Sequence, residues 1–122
     1  MMISIFAAFA LVTASSETLV NAENLGRDLA LGQICEALQR ATVNYPYLLE
    51  HSEYIHQLAA HEGISPSTIE DLFEKGHADT LAEIEKDYPL ADKDPELSQL
   101  FVRCDVLITD RPGIFTPYVA RS

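Results

Sequence analysis

From Glu23 to about Val43, the apolar residues Leu25, Leu29, Leu31, Ile34, Cys35, Leu38 and Ala41 keep one side of a 3.6-residue period apolar, which predicts an amphipathic helix. Cys35 falls within its inward stripe. Asn44-Tyr45-Pro46 interrupts the pattern, and a second helix is predicted over Tyr47 to Glu62, with Leu48, Leu49, Ile55, Leu58 and Ala59 inward and Gly63 as its stop. Ser65 is a natural N-cap with Pro66 at the first helical position, and Ile64 and Ile69 have the spacing of a hydrophobic staple. The third helix starts there. Its inward face, Ile69, Phe73, Gly76, Thr80 and Ile84, runs through Gly76-His77, so residues 66–87 read as either one helix or two. Tyr88-Pro89 closes it, and an acidic loop leads to Asp94-Pro95, the predicted start of a last helix with Leu97, Leu100, Phe101, Cys104, Leu107 and Ile108 on one side. Arg111-Pro112-Gly113 turns the chain into a tail whose Phe115, Tyr118 and Val119 are expected to dock back. No strand-period run or repeat occurs. The predicted class is all-α, a small bundle of four to five helices.

Ahead of these helices lies a different pattern, the uncharged apolar block Met1 to Val12, too short for the roughly 20 residues of a spanning helix. It reads as an export signal. Val20-Asn21-Ala22 supplies small residues at −3 and −1 for a signal peptidase, and Val12-Thr13-Ala14 is a competing site. With the first cut, residues 1–22 are a signal peptide and 23–122 a single domain of the commonest size. No Lys or Arg precedes the apolar run, and an uncleaved anchor or a misassigned start is the alternative.

The full chain carries 19 acids against 8 Lys and Arg, a formal charge of −11; removing Glu17 with the leader leaves 18 acids and −10. Such a surface repels nucleic acid and anionic lipid, so neither nucleic acid nor, after cleavage, a membrane is an expected partner. Apolar residues at 48% of the composition argue against disorder.

Cys35 and Cys104 are the two cysteines of the chain. Export exposes them to an oxidising compartment, and both lie on inward helical faces, so a disulfide tying the first long helix to the last is expected. Closing a loop of about 70 residues stabilises by about 4 kcal/mol in the chain-entropy account. Two buried free thiols are the alternative. His51, His56 and His61 are spaced five apart, a rotation of about 140° each on a helix, so they do not converge on a metal. The residues after His61-Glu62 lack the second histidine of a zinc-protease helix. No metal, cofactor or catalytic residue is assigned.

Acids crowd Glu70 to Glu96, ten against Lys75, Lys86 and Lys93. A solvated face with local pairs such as Asp71 with Lys75 accounts for them; so does a docking face for a basic partner, with Glu70, Asp71, Glu74, Glu83 and Asp87 as its candidate residues. The acids lie on helical stretches and do not form a calcium loop.

The run Asp28-Leu29-Ala30-Leu31-Gly32-Gln33-Ile34-Cys35 after a leader, Lys86-Asp87-Tyr88, and Leu97 to Ile108 around Cys104 resemble the small type VI secretion amidase immunity proteins. The resemblance implies a periplasmic or secreted, all-helical, often dimeric protein that blocks a peptidoglycan-cleaving amidase. Only the two cysteines carry over; no segment matches the family's inhibitory loop. Small exported helical proteins of unassigned function are similar too. The expected function is therefore a non-enzymatic binding protein, with an acid-activated periplasmic chaperone or an envelope protein of another role as alternatives. The chaperone would need its many carboxylates to release structure on protonation.

Overall fold

In the computed structural model, which describes residues 2–89 and 96–120, helix α1 spans Met2–Ala37, strand β1 Ala41–Val43, α2 Tyr45–His61, α3 Pro66–Asp87, α4 Ser98–Asp110 and strand β2 Phe115–Pro117. The bundle and its disulfide are as expected. Cys35 of α1 and Cys104 of α4 are bonded, both without solvent exposure. Among the described residues no helix is long and apolar enough to cross a membrane.

The helix punctuation is readable residue by residue. Asn44 caps α2 through its side chain, accepting from the Tyr47 amide at 3.2 Å, so the helix begins two residues before the expected start. Ser65 caps α3, accepting from the Thr68 amide, with Pro66 at the first position where its missing N–H loses no bond. Gly63 takes φ +75° after α2, and the Ile64 and Gly63 amides return to the carbonyls of Ala59 and Ala60, satisfying acceptors that the helix end leaves free. Helix α3 runs unbroken through Gly76, which resolves the choice between one helix and two. The expected start of α4 at Asp94-Pro95 lies outside the described residues. Its first turn is met by Glu96, whose carboxylate accepts from both the amide and the hydroxyl of Ser98; these bonds hold the Glu96 carboxyl below its ordinary range.

The first predicted helix is corrected at its end. It stops at Ala37 rather than near Val43, through a left-handed Gln39 at φ 62° whose amide bonds Glu36, while the Arg40 amide bonds Cys35. The chain then turns extended, and Ala41–Val43 pairs antiparallel with Phe115–Pro117, Val43 opposite Phe115. This small sheet anchors the tail. Phe115 and Ile114 are buried and the Phe115 ring lies against Gly32 of α1, where a Cβ would stand 3.0 Å from the ring Cζ and closer still to Cε1. Val119, expected to dock, is exposed, and of the tail residues named from sequence only Phe115 is fully inside.

Helix α1 is the spine and packs mainly on α3. The two cross with backbones nearly in contact: a Cβ on Gly26 would lie 2.9 Å from the Phe73 carbonyl carbon, and one on Gly76 3.0 Å from that of Glu23. Ion pairs flank the crossing, Lys75 with Glu23 at 3.1 Å on one side and Arg27 with Glu83 at 2.9 Å on the other. The core continues through Leu25, Leu29, Ile55, Ile69, Ile84, Leu100 and Leu107.

Candidate functional site

A groove of about 150 Å³ opens where α1, α2 and α3 meet. Apolar side chains make its floor: Ala22 and Leu25 from α1, Ile55 from α2, Ile69 and Phe73 from α3. Polar groups make its rim, Ser52 and His56 on one side, Glu70 and Glu74 on the other. The arrangement follows from helical spacing. Ser52 and His56 are four apart on α2 and bracket Ile55; Glu70 and Glu74 are four apart on α3 and directly follow the groove-lining Ile69 and Phe73, so one turn of each helix presents an acid or dipole above an apolar base.

The acidic residues singled out from sequence are thereby divided. Glu70 and Glu74 come together at the groove mouth, and neither makes an ion pair among the described residues. Glu83 is engaged by Arg27 near the other end of α3. Asp71 and Asp87 are exposed and outside the groove. The expected Asp71 to Lys75 pair is absent: Lys75 reaches Glu23 and Asp79, each at 3.1 Å. The hydrogen bonds that the Lys75 ammonium donates to these two carboxylates, to Asp79 first, hold it protonated above its ordinary range. The Gly26–Gly76 crossing brings Glu23 of α1 within reach of Lys75, and Asp79 one turn further along α3 supplies the second carboxylate. Asp92 and Asp94 lie outside the described residues.

The histidines have separate settings. His56 lines the groove, and His77 sits 2.6 Å from Gln33 Oε1. His51 Nε2 lies 3.5 Å from Arg111 Nη1, and Arg111 Nε donates to Asp28, so the three residues link α1, α2 and the end of α4. Burial, then the Arg111 charge, lowers the His51 pKa from its ordinary 6.5. No group of three or more His, Cys, Asp or Glu converges among the described residues. Both thiols are consumed in the disulfide, so neither is a nucleophile.

The groove can hold an amphipathic cation, its carbon stem on Ile55 and Phe73 and its charge between Glu70 and Glu74. Sequence reasoning identified the acidic side of the site but not Ser52, His56 or the floor; the i, i+4 placement of Ser52 and His56 around an inward Ile55 was the available signal. A second hollow, about 210 Å³ beside α4, mixes Val102 and Val106 with Asp28, Arg103 and Asp110, so that charges of both signs line it. No family model, curated protein or solved structure matches the chain.

Proposed function

We propose that this protein is an exported, non-enzymatic binding module of the immunity type, which inhibits a peptidoglycan amidase by seating a Lys or Arg side chain of that enzyme in the α2–α3 groove. The observation that carries the reading is the coincidence of the acid face read from sequence with an apolar groove whose rim acids, Glu70 and Glu74, have no cation of their own among the described residues. An unpaired carboxylate pair over apolar surface steers a basic partner and selects it, and its effect is greatest where the partner's side chain displaces water. A disulfide-tied scaffold presents that pair with little conformational cost on binding. The resemblance to the amidase immunity proteins supplies the class of target, the periplasm as the place of action, and a homodimer as one possible assembly.

The chaperone alternative draws less support. Its mechanism needs carboxylates whose protonation dismantles internal bonds, whereas most α3 acids point to solvent, and the paired ones, Glu83 and Asp79 of α3 and Glu23 of α1, make solvent-screened surface ion pairs.

The test mixes purified protein with a purified secreted peptidoglycan amidase of the type VI effector class, reading peptide release from sacculi. The wild-type protein should inhibit, and affinity should weaken as salt rises through the range where the Debye length shrinks from about 10 to 3 Å. Glu70→Gln with Glu74→Gln should raise Kd at least about tenfold, or ~1.4 kcal/mol. Asp87→Asn, outside the groove, should leave it unchanged. Equal losses from both variants would place recognition in net charge and remove the groove from the account.

A further inference from the structure

The opening helix does not begin where the more conventional cut in the sequence would start it. Thr18 is 3% exposed and Ala22 1%, and with half-buried Leu19 they share the inward side of α1 with Leu25 and Leu29. Cleavage after Ala22 would remove all three and take Ala22 out of the groove floor. It would also place a free ammonium on Glu23, the residue whose carboxylate holds the Lys75 cation at 3.1 Å, so a second positive charge on the same residue would compete for that carboxylate. The close backbone approach of Gly76 to Glu23 would then rest on the terminal residue of the chain, in the turn that frays most readily.

We infer that the leader is removed after Ala14, giving a mature chain that starts at Ser15. This rests on the export reading above. Val12-Thr13-Ala14 directly follows the apolar run and carries acceptable residues at −3 and −1. The next residues, Ser15-Ser16-Glu17, have the composition of a helix start, hydroxyl residues suited to an N-cap and then an acid that suits the positive end of the helix dipole. A leader of 14 residues falls just below the ~15–30-residue range. The core decides against the longer one: a peptidase acts on the unfolded chain and reaches either site, but only the earlier cut leaves a product that retains Thr18, Leu19 and Ala22. The mature protein keeps Glu17 and with it the full formal charge of −11, since residues 1–14 carry no acidic or basic side chain.

Intact-mass measurement of full-length chain expressed in a bacterium with a periplasm tests the assignment, beside two variants. The expected species is Ser15 to Ser122 with its disulfide closed. Val20→Glu puts a charge at −3 of the later site on a side chain that is 50% exposed, so it should be processed as the wild type is. Ala14→Leu removes the small residue at −1 of the earlier site and should abolish the Ser15 terminus. A periplasmic product starting at Glu23, or processing blocked by Val20→Glu and untouched by Ala14→Leu, overturns this inference and leaves export standing. Full-length chain in the cytoplasm with both thiols alkylatable overturns export itself, and this assignment with it.

Discussion

Gly76→Ala is the smallest perturbation that tests how α1 and α3 are held together. On an open helix surface it would stabilise, because Ala is favoured over Gly by about 1 kcal/mol. Here the new Cβ would lie 3.0 Å from the Glu23 carbonyl carbon, 3.2 Å from Cγ of Arg27 and closer still to the Glu23 oxygen. Carbon pairs rest at about 3.5–4.0 Å, so the helices must part by roughly 0.5–1 Å, a gap that forfeits a quarter to a half of the dispersion attraction along the seam. The opposing atoms are backbone within a helix and cannot rotate aside. Overpacking of this kind costs about 1–3 kcal/mol, and the upper end applies; subtracting the propensity gain leaves a net loss of about 2 kcal/mol. For a domain near 100 residues that lowers Tm by roughly 8 °C or more. Urea unfolding followed by far-UV circular dichroism measures it, with the midpoint expected to fall at constant slope. Gly26→Ala should act in the same direction, and the two together should lose less than their sum, since both prise open one crossing. Gly63→Ala is the control: nothing lies within 4 Å of its Cβ, so its loss of about 1 kcal/mol comes from φ +75° alone. A Gly76→Ala protein as stable as the wild type, or more stable, would refute the close crossing.

Gln39→Gly should raise stability by about 0.5–1 kcal/mol, because φ 62° after α1 is strained for Gln and free for Gly; a thermal melt rising by a few degrees checks it, and an unchanged or lower Tm counts against the left-handed cap. Replacing Cys35 and Cys104 together by Ala should cost about 4 kcal/mol, from the 69-residue separation of the bridge, seen as a lower urea midpoint than that of the oxidised wild type. His51 is lowered below 6.5 by burial and by Arg111, so the unfolded chain takes up the proton first as pH falls. The His51 contribution is thus intact above about pH 6.5 and lost as pH drops from there through the lowered folded value; His51→Gln should flatten that part of a stability-versus-pH curve, and an equally steep decline in the variant would remove His51 as its source.

What the sequence determined by itself was everything encoded at short range. The α2–α3 boundary is written in Gly63, Ser65 and Pro66, whose φ preferences and hydrogen-bonding groups act within one turn, and the structure uses each as its chemistry dictates. The disulfide was legible because two cysteines on two apolar faces leave one pairing. Tertiary structure alone decided the rest. Strand β1 has three residues, too few for a two-residue period to show against the helical pattern it follows, and it exists because Phe115–Pro117 comes back to pair with it. Gly26 and Gly76 are neutral in a hydrophobic pattern; only the docked helices reveal that their missing side chains let α1 and α3 approach and bring Glu23 to Lys75. The groove is likewise a property of three helices at once. Glu70 and Glu74 could be read as a charged face from their spacing, but whether that face borders water or an apolar floor depends on where Leu25 and Ile55 arrive, residues 45 and 15 positions away from Glu70 in the chain. Contacts at that sequence separation are fixed by packing the whole core, and no local propensity carries them.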